Sequence, residues 1–195
     1  ILSVSDDALS EIVKDENLKE QIDNNLVVHT AGSVPMEILA SLSQNYGVFY
    51  PLQTFSKFKL LDFINIPICL EASSGFNYDK LTKYAVQISD DIRRITGEQR
   101  KYVHLAAVFA NNFSNNMFAV AERILAEHQL EFSILLPLIR ETVEKIQSNK
   151  PSKVQTGPAL RNDKNVLNKQ SELLMDNKLL KEIYSLISKN IQEIK

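Results

Sequence analysis

Short β-rich segments alternate with helical patterns through the first half of this chain, and this alternation limits its fold more than any other feature. Strands are predicted where apolar or β-branched runs end in turn residues, at ILSV, LVVHTAG, VFYPLQTF and INIPICLEAS. Helices are predicted between them, at 6–22 (as one helix or two short ones), 33–45 and 79–92. Alternation up to about residue 96 indicates an α/β layer with a largely parallel sheet.

From Gly97 onward the pattern is helical. Breaks are predicted at residues 129–130, near Pro151, at 156–158 and at 176–177. The last helix, KLLKEIYSLISKNIQEI, places five apolar residues on one face: Leu180, Ile183, Ile187, Ile191 and Ile194. The sequence therefore predicts an α/β domain over residues 1–96, followed by an all-α domain over residues 97–195.

Composition argues against several classes of function. Net charge is −2 without a dense run of Lys or Arg, so neither nucleic acid nor a membrane surface is an expected partner. No apolar run approaches the roughly 18 residues of a membrane span. The only cysteine, Cys69, lies in an apolar run, so we expect it to be buried in a cytoplasmic protein without disulfides. No three residues have the spacing of zinc ligands, and no metal site is predicted.

One predicted helix, over residues 98–128, carries a narrow, mostly uncharged polar stripe. At roughly 100° per residue, His104, Asn111, Asn115 and Glu122 fall within about 20° of one another. Uncharged hydrogen-bonding groups suit a partly buried polar surface. Two interpretations remain open. The stripe forms a helix–helix contact around a buried histidine, or it lines a cleft in which His104 donates or accepts a proton.

Other candidate residues follow predicted strands. His29 ends a strand just before Thr30 and Gly32, and ligands in open α/β sheets bind beyond the carboxyl ends of strands. Loop packing would explain this histidine equally well. Gln53 and Thr54 lie in the loop after another strand, where they could bind substrate or the nicotinamide amide, or satisfy backbone groups.

Arg161 lies just beyond a predicted turn at Gly157-Pro158. A guanidinium there could clamp a carboxylate or a phosphate. It could equally pair with Asp163, which is the predicted cap of the next helix.

Four stretches, HLAAVFANNF, VVHTAGSVPMEIL, YPLQTF and VQTGPALRND, resemble motifs of a single family. This family is the Rossmann-like oxidoreductases whose C-terminal half is a domain of unknown function, often named deazaflavin-coenzyme-dependent NADP oxidoreductases. Its members are distantly similar to pyrroline-carboxylate reductase and 6-phosphogluconate dehydrogenase. The resemblance runs from Ile1 to about Leu174. Tyr50 departs from the family pattern, which usually has histidine there, and Asn116 is a second departure.

The resemblance implies that residues 1–96 are the C-terminal part of a Rossmann-like sheet, with roughly 60–80 residues upstream. It implies hydride transfer between NADP or NAD and a small carbonyl or imine substrate, and a helical domain that forms a homodimer. The main dinucleotide-binding loop is expected outside this sequence, which has five glycines and no GxGxxG. A non-catalytic dinucleotide-sensing or dimerising module is the alternative.

Site roles are assigned on the polar stripe and the four motifs together. His104 is the expected acid/base, and Asn111 and Asn115 are expected to orient substrate. The remaining assignments are substrate binding by His29, Gln53, Thr54 and Arg161, and cofactor binding by Thr30 and Gly32.

Overall fold

The computed structural model describes residues 1–56 and 59–194. Contacts within the chain divide it into two compact units, Ile1–Val120 and Ala121–Lys195. The first unit contains the four strands of the described chain, and the second consists of helices and their connections. The predicted class, α/β followed by all-α, is confirmed. The predicted domain boundary after residue 96 stays a prediction.

The sheet of the first unit has the strand order β1-β2-β3-β4. Its strands are β1 (Val27–His29), β2 (Tyr46–Pro51), β3 (Ile68–Ala72) and β4 (Ile92–Arg94). The β1/β2 and β3/β4 pairs are parallel, whereas β2 and β3 are antiparallel. The described residues between β2 and β3 form no helix. An antiparallel pair needs no helical crossover, so the chain can reverse here directly.

Helices of the first unit lie before and between the strands. The predicted pair of short helices is confirmed as α1 (Asp6–Ile12) and α2 (Glu16–Ile22), separated by Asp15, which caps α2. Helix α3 (Gly75–Ala85) connects β3 to β4. Helix α4 (Gly97–Ala107) follows β4 and leads into the long helical segment described below.

Three local predictions are wrong. The ILSV segment pairs only through Leu2, which bridges His29 in parallel. The predicted helix over 33–45 is a short 3₁₀ helix, Met36–Ser41. It ends early because the Ser43 hydroxyl bonds the Asn25 carbonyl and accepts from the Asn45 backbone N–H, competing with helical bonds. The predicted helix over 79–92 starts earlier and ends at Ala85, and Ile92 belongs instead to β4.

The two faces of the sheet carry different chemistry. Side chains alternate along a strand, so one face is apolar and packs on α3, with a core of Val28, Phe49, Ile66, Ile68, Leu70, Leu81 and Ala85. On the opposite face, His29 pairs with Val48, Val48 with Glu71, and Tyr50 with Cys69. Cys69 is buried as predicted. Burial also raises the pKa of its thiol, which disfavours the reactive thiolate.

The helices of the second unit end at the turn residues from which their ends were predicted. Helix α5 (Ser114–Glu127) crosses the division between the units, and Phe132–Leu135 is a 3₁₀ helix. The unit continues with α6 (Leu136–Ser148), α7 (Pro151–Val154), α8 (Lys164–Glu172) and α9 (Lys178–Glu193). All four predicted breaks are confirmed. Gln129 and Gly157 have φ of 59° and 105°, left-handed conformations that end a helix or turn the chain. Within the described ranges, no helix is both long and apolar enough to cross a membrane.

Candidate functional site

The start of α4 is fixed to the sheet by a buried ion pair. Arg100 donates through Nη1 to Glu71 at the end of β3 and through Nη2 to the Val34 carbonyl, at 2.7 Å. The Gly97 backbone N–H donates to the second oxygen of Glu71 at 2.6 Å. The side chains of Arg100 and Glu71 are 2% and 17% exposed. A capping box between Thr96 and Gln99 completes the helix start, so α4 has one position over the polar face of the sheet.

One turn further along α4, His104 meets Tyr50 from β2. The Tyr50 hydroxyl lies 3.1 Å from His104 Nδ1, and the two rings meet edge to face. Tyr50 is 9% exposed. Burial raises the pKa of this phenol, and the nearby Cys69 adds to the increase, while Arg100 opposes it. The hydroxyl is therefore protonated at neutral pH and can act as a donor.

Gly32 leaves the space that the tyrosine–histidine pair occupies. A Cβ at this position would lie 2.6 Å from His104 Nδ1, 2.9 Å from its Cγ and 3.0 Å from Tyr50 Cζ. The predicted cofactor residue is thus in van der Waals contact with the predicted acid/base. Because Gly32 has no side chain, His104 can pack against it. Gly32 therefore does not form part of an open surface.

Replacing Gly32 by alanine should lower the free energy of unfolding by about 1–3 kcal/mol, because the added methyl overpacks against the buried Tyr50 ring and the half-buried His104 ring. Urea unfolding measures the change. Gly75→Ala is the matched control, because nothing lies within 4 Å of that Cβ and the residue begins a helix. Its expected effect is within about 0.5 kcal/mol. Equal losses of stability in the two variants would contradict this account of Gly32.

A cleft of about 690 Å³ opens beside Tyr50 and His104. It contains four of the predicted site residues, His104, Asn111, Gln53 and Thr54, and so brings together residues from α4 and from the loop after β2. The other described residues that line it are Tyr50, Leu52, Phe55, Val103, Ala106, Ala107, Val108, Ala110 and Asn112. This geometry favours the second interpretation of the polar stripe, in which His104 borders a cleft.

A π-helical segment, Val108–Phe113, forms one wall of the cleft and joins α4 to α5. The Ser114 hydroxyl donates to the Phe109 carbonyl, five residues earlier, and so supports the wider turn. A wheel at 100° per residue does not apply through this segment. As a result Asn111 and its neighbour Asn112 both line the cleft, whereas Asn115 is exposed on α5 outside the lining. Such segments occur frequently at functional sites.

A sequence profile described as a domain of unknown function, DUF2520, matches residues 66–191, more than half of the chain. The chain belongs to this family. Among curated proteins, none matches.

Two solved structures extend the likeness of this DUF2520 protein to nearly its whole length. A "putative NADP oxidoreductase" from Bacteroides fragilis is 41% identical, with a TM-score of 0.90 over 98% of this chain and 73% of that one. A protein from Thermotoga maritima is 25% identical, with a TM-score of 0.79 over 99% of this chain and 77% of that one. The predicted resemblance to a Rossmann-like family with a domain of unknown function is confirmed. Its deazaflavin-dependent naming and its distant relatives stay predictions.

His29 of the DUF2520 protein lies in the core and not in the cleft. The residue is fully buried, and its Nδ1 accepts from the Ala31 backbone N–H at 3.1 Å. Its Nε2 has no partner of hydrogen-bond geometry within the described chain. Burial, and secondarily the charge of Arg100, lowers the pKa of His29 below its ordinary 6.5. A neutral packing residue at the end of β1 fits these observations.

Two predicted residues lie apart from the cleft lining. Thr30 donates its hydroxyl to Ser3 at 3.4 Å. Arg161 is exposed in the turn before α8 in the second unit, and Asp163 caps that helix as predicted, accepting from the Val166 backbone N–H at 3.2 Å. Within the described part of the DUF2520 protein, no group of three or more His, Cys, Asp or Glu could hold a metal ion.

Sequence reasoning missed two parts of the site. Arg100 precedes the HLAAVF motif by only a few residues, but nothing local shows that it is buried against Glu71. Asn112 was passed over because an ideal helix places it away from Asn111 by about 100°. The run of two adjacent asparagines inside an apolar helix was the available signal for a local change of helix type.

Proposed function

We propose that this DUF2520 protein is an NADP- or NAD-dependent oxidoreductase that transfers hydride between the nicotinamide and a small carbonyl or imine substrate. The observation that carries the proposal is the Tyr50–His104 pair, 3.1 Å apart, at the wall of a cleft. The 41% identity to a protein named as a putative NADP oxidoreductase supports the reaction class.

The pair is suited to proton transfer. The Tyr50 hydroxyl lies 3.1 Å from His104 Nδ1, and its oxygen can accept from Nδ1–H, which leaves Nε2 as the nitrogen that exchanges a proton with substrate. A carbonyl that accepts hydride becomes an alkoxide and needs a proton, which the imidazolium of His104 donates from Nε2, leaving the neutral imidazole with its remaining proton on Nδ1. In the reverse direction the same nitrogen accepts the proton of the alcohol. General acid–base catalysis of this kind contributes typically about 10²–10⁴-fold.

Amide side chains orient the substrate. Asn111 takes the role predicted for it, and Asn112 replaces Asn115, because the π-helical segment turns Asn112 to the cleft. The proposal gives no role to His29, which is enclosed in the core, or to Arg161, which lies on an exposed turn of the second unit.

The described residues fit only the nicotinamide end of the cofactor. The amide of Gln53 can pair with a neutral carboxamide. Gly32 cannot cradle a phosphate, because His104 and Tyr50 fill the space on its open side. When bound, the nicotinamide supplies or accepts the hydride, and this chain positions substrate and moves the proton.

The test is NADPH and NADH oxidation by the natural protein with a panel of small ketones, aldehydes and imines. Saturable oxidation with at least one substrate is expected. Tight cofactor binding without turnover across the panel would favour the non-catalytic dinucleotide-sensing module. Absence of both binding and turnover would overturn the proposed cofactor as well as the reaction.

We also propose a homodimer. Six large apolar side chains of the second unit are each more than three-fifths exposed, namely Ile134, Leu138, Leu173, Met175, Leu179 and Leu186. Exposed apolar surface of this extent is typical of an interaction site. Sedimentation velocity is expected to show a dimer that Leu186→Glu weakens and that Asn190→Glu, an equal charge change on α9, does not. A monomer at all concentrations would contradict the proposal.

A further inference from the structure

We propose that the cleft beside His104 takes an uncharged substrate with an apolar body and an amide-like polar group, and rejects carboxylates and phosphates. This inference rests on the proposed function for its reaction, because it names the substrate class of the same site. Its binding step can be measured without turnover.

No permanently charged side chain is found among the described residues that line the cleft. Among its thirteen described lining residues, none is Lys, Arg, Asp or Glu. Recognition of a carboxylate or phosphate ordinarily uses a guanidinium, an ammonium or several aligned backbone N–H groups. An anion placed against this lining would lose water without gaining an arginine or lysine partner, which is unfavourable.

The cations of α4 are engaged elsewhere. Both terminal nitrogens of Arg100 are bonded, one to Glu71 and the other to the Val34 carbonyl. Lys101 pairs with Glu98 at 2.5 Å on the exposed side of the helix. Neither residue lines the cleft. A substrate anion would have to displace one of these partners to reach Arg100 or Lys101.

The remaining lining residues indicate the shape and polarity of a substrate that would fit the cleft. Leu52, Phe55, Val103 and Val108 offer apolar contact, while small alanines leave room between them. Three amides, Gln53, Asn111 and Asn112, together with the hydroxyl of Thr54, can donate and accept hydrogen bonds without carrying charge. Such a lining matches a molecule with one apolar body and a neutral group that both donates and accepts.

The test uses matched pairs of small amides and their acids, such as 3-phenylpropanamide and 3-phenylpropanoate, titrated into the full natural protein and followed by NMR. Amides are expected to shift the side-chain signals of Asn111 and Asn112 with dissociation constants about tenfold or more below those of the acids. Equal or tighter binding of the acids at these residues would overturn the proposal. So would the failure of every amide in the set to shift them.

A variant that adds a positive charge to the cleft lining tests the preference for amides over acids in a second way. Asn112→Lys adds a cation to the lining and is expected to recruit the acid of each pair. Asn115→Lys adds the same charge on the next helix outside the lining and should leave the preference for amides unchanged. Amide binding in a protein that oxidises no NADPH would refute the proposed reaction and leave this inference intact. Turnover of a carboxylic acid that binds in the cleft would support the proposed reaction and overturn this inference.

Discussion

Replacing His104 by glutamine should lower kcat of the natural protein by about 10²–10⁴-fold, the usual contribution of a positioned general acid. Glutamine keeps an acceptor for the Tyr50 hydroxyl and a similar volume, but it cannot exchange a proton with substrate. The measurement is steady-state NADPH oxidation with whichever carbonyl or imine the panel identifies. KM should change much less than kcat, because the lost interaction belongs to the transition state.

Comparing two variants shows whether the loss of kcat comes from proton transfer by His104. Tyr50→Phe keeps the imidazole but removes the hydrogen-bond partner of Nδ1, so both neutral tautomers of His104 become accessible and kcat should fall less than in His104→Gln. Nitrogen-15 NMR of the neutral imidazole should show Nδ1 protonated in the parent protein and a mixture of tautomers in Tyr50→Phe. An unchanged kcat in His104→Gln would remove His104 from the mechanism. An unchanged tautomer in Tyr50→Phe would show that the hydroxyl does not select it.

Replacing Arg100 by methionine should lower the free energy of unfolding by about 3–5 kcal/mol, as is usual when one partner of a buried ion pair is removed. The variant leaves the Glu71 carboxylate with only the Gly97 N–H as a hydrogen-bond partner, and it leaves the Val34 carbonyl without its donor. Urea unfolding, read as the midpoint at unchanged slope, measures the change.

The control is a substitution of the next residue in the chain. Lys101→Met removes a lysine whose pairing with Glu98 is exposed, and such surface pairs contribute at most about 1 kcal/mol. A second variant, Arg100→Met combined with Glu71→Gln, removes the stranded charge and should recover part of the loss. If Arg100→Met cost no more than Lys101→Met, the buried pair would not hold α4 on the sheet.

Much of the fold follows from local chemistry. Ser5, Asp163 and the residues around Pro151 mark helix ends, because caps and prolines act within three or four residues of their own position. The failures arise from contacts with residues more distant along the chain. Met36–Ser41 has the apolar spacing of a helix, but the buried hydroxyl of Ser43 holds the following chain to Asn25 instead. The spacing of apolar residues gives no information about that competing hydrogen bond.

The candidate site was predicted in part. His104, Asn111, Gln53 and Thr54 meet in one cleft, and each stands beside apolar residues in a motif or at a strand end, where polar side chains are informative. Asn115 was misplaced because an ideal helical wheel cannot represent a π-helical segment. The placement of His29 was left open between packing and binding, and the structure encloses it in the core.

By itself, the sequence determined most of the segments that are strands or helices, where most of them end, and that mostly uncharged polar residues gather on one helix. These properties depend on neighbours a few residues away. Only the tertiary structure decided that Tyr50 meets His104, 54 residues later, and that Arg100 reaches Val34, 66 residues earlier. Such contacts arise because α4 packs on one particular face of the sheet, and that choice depends on the burial of the whole first unit and not on any single stretch of sequence.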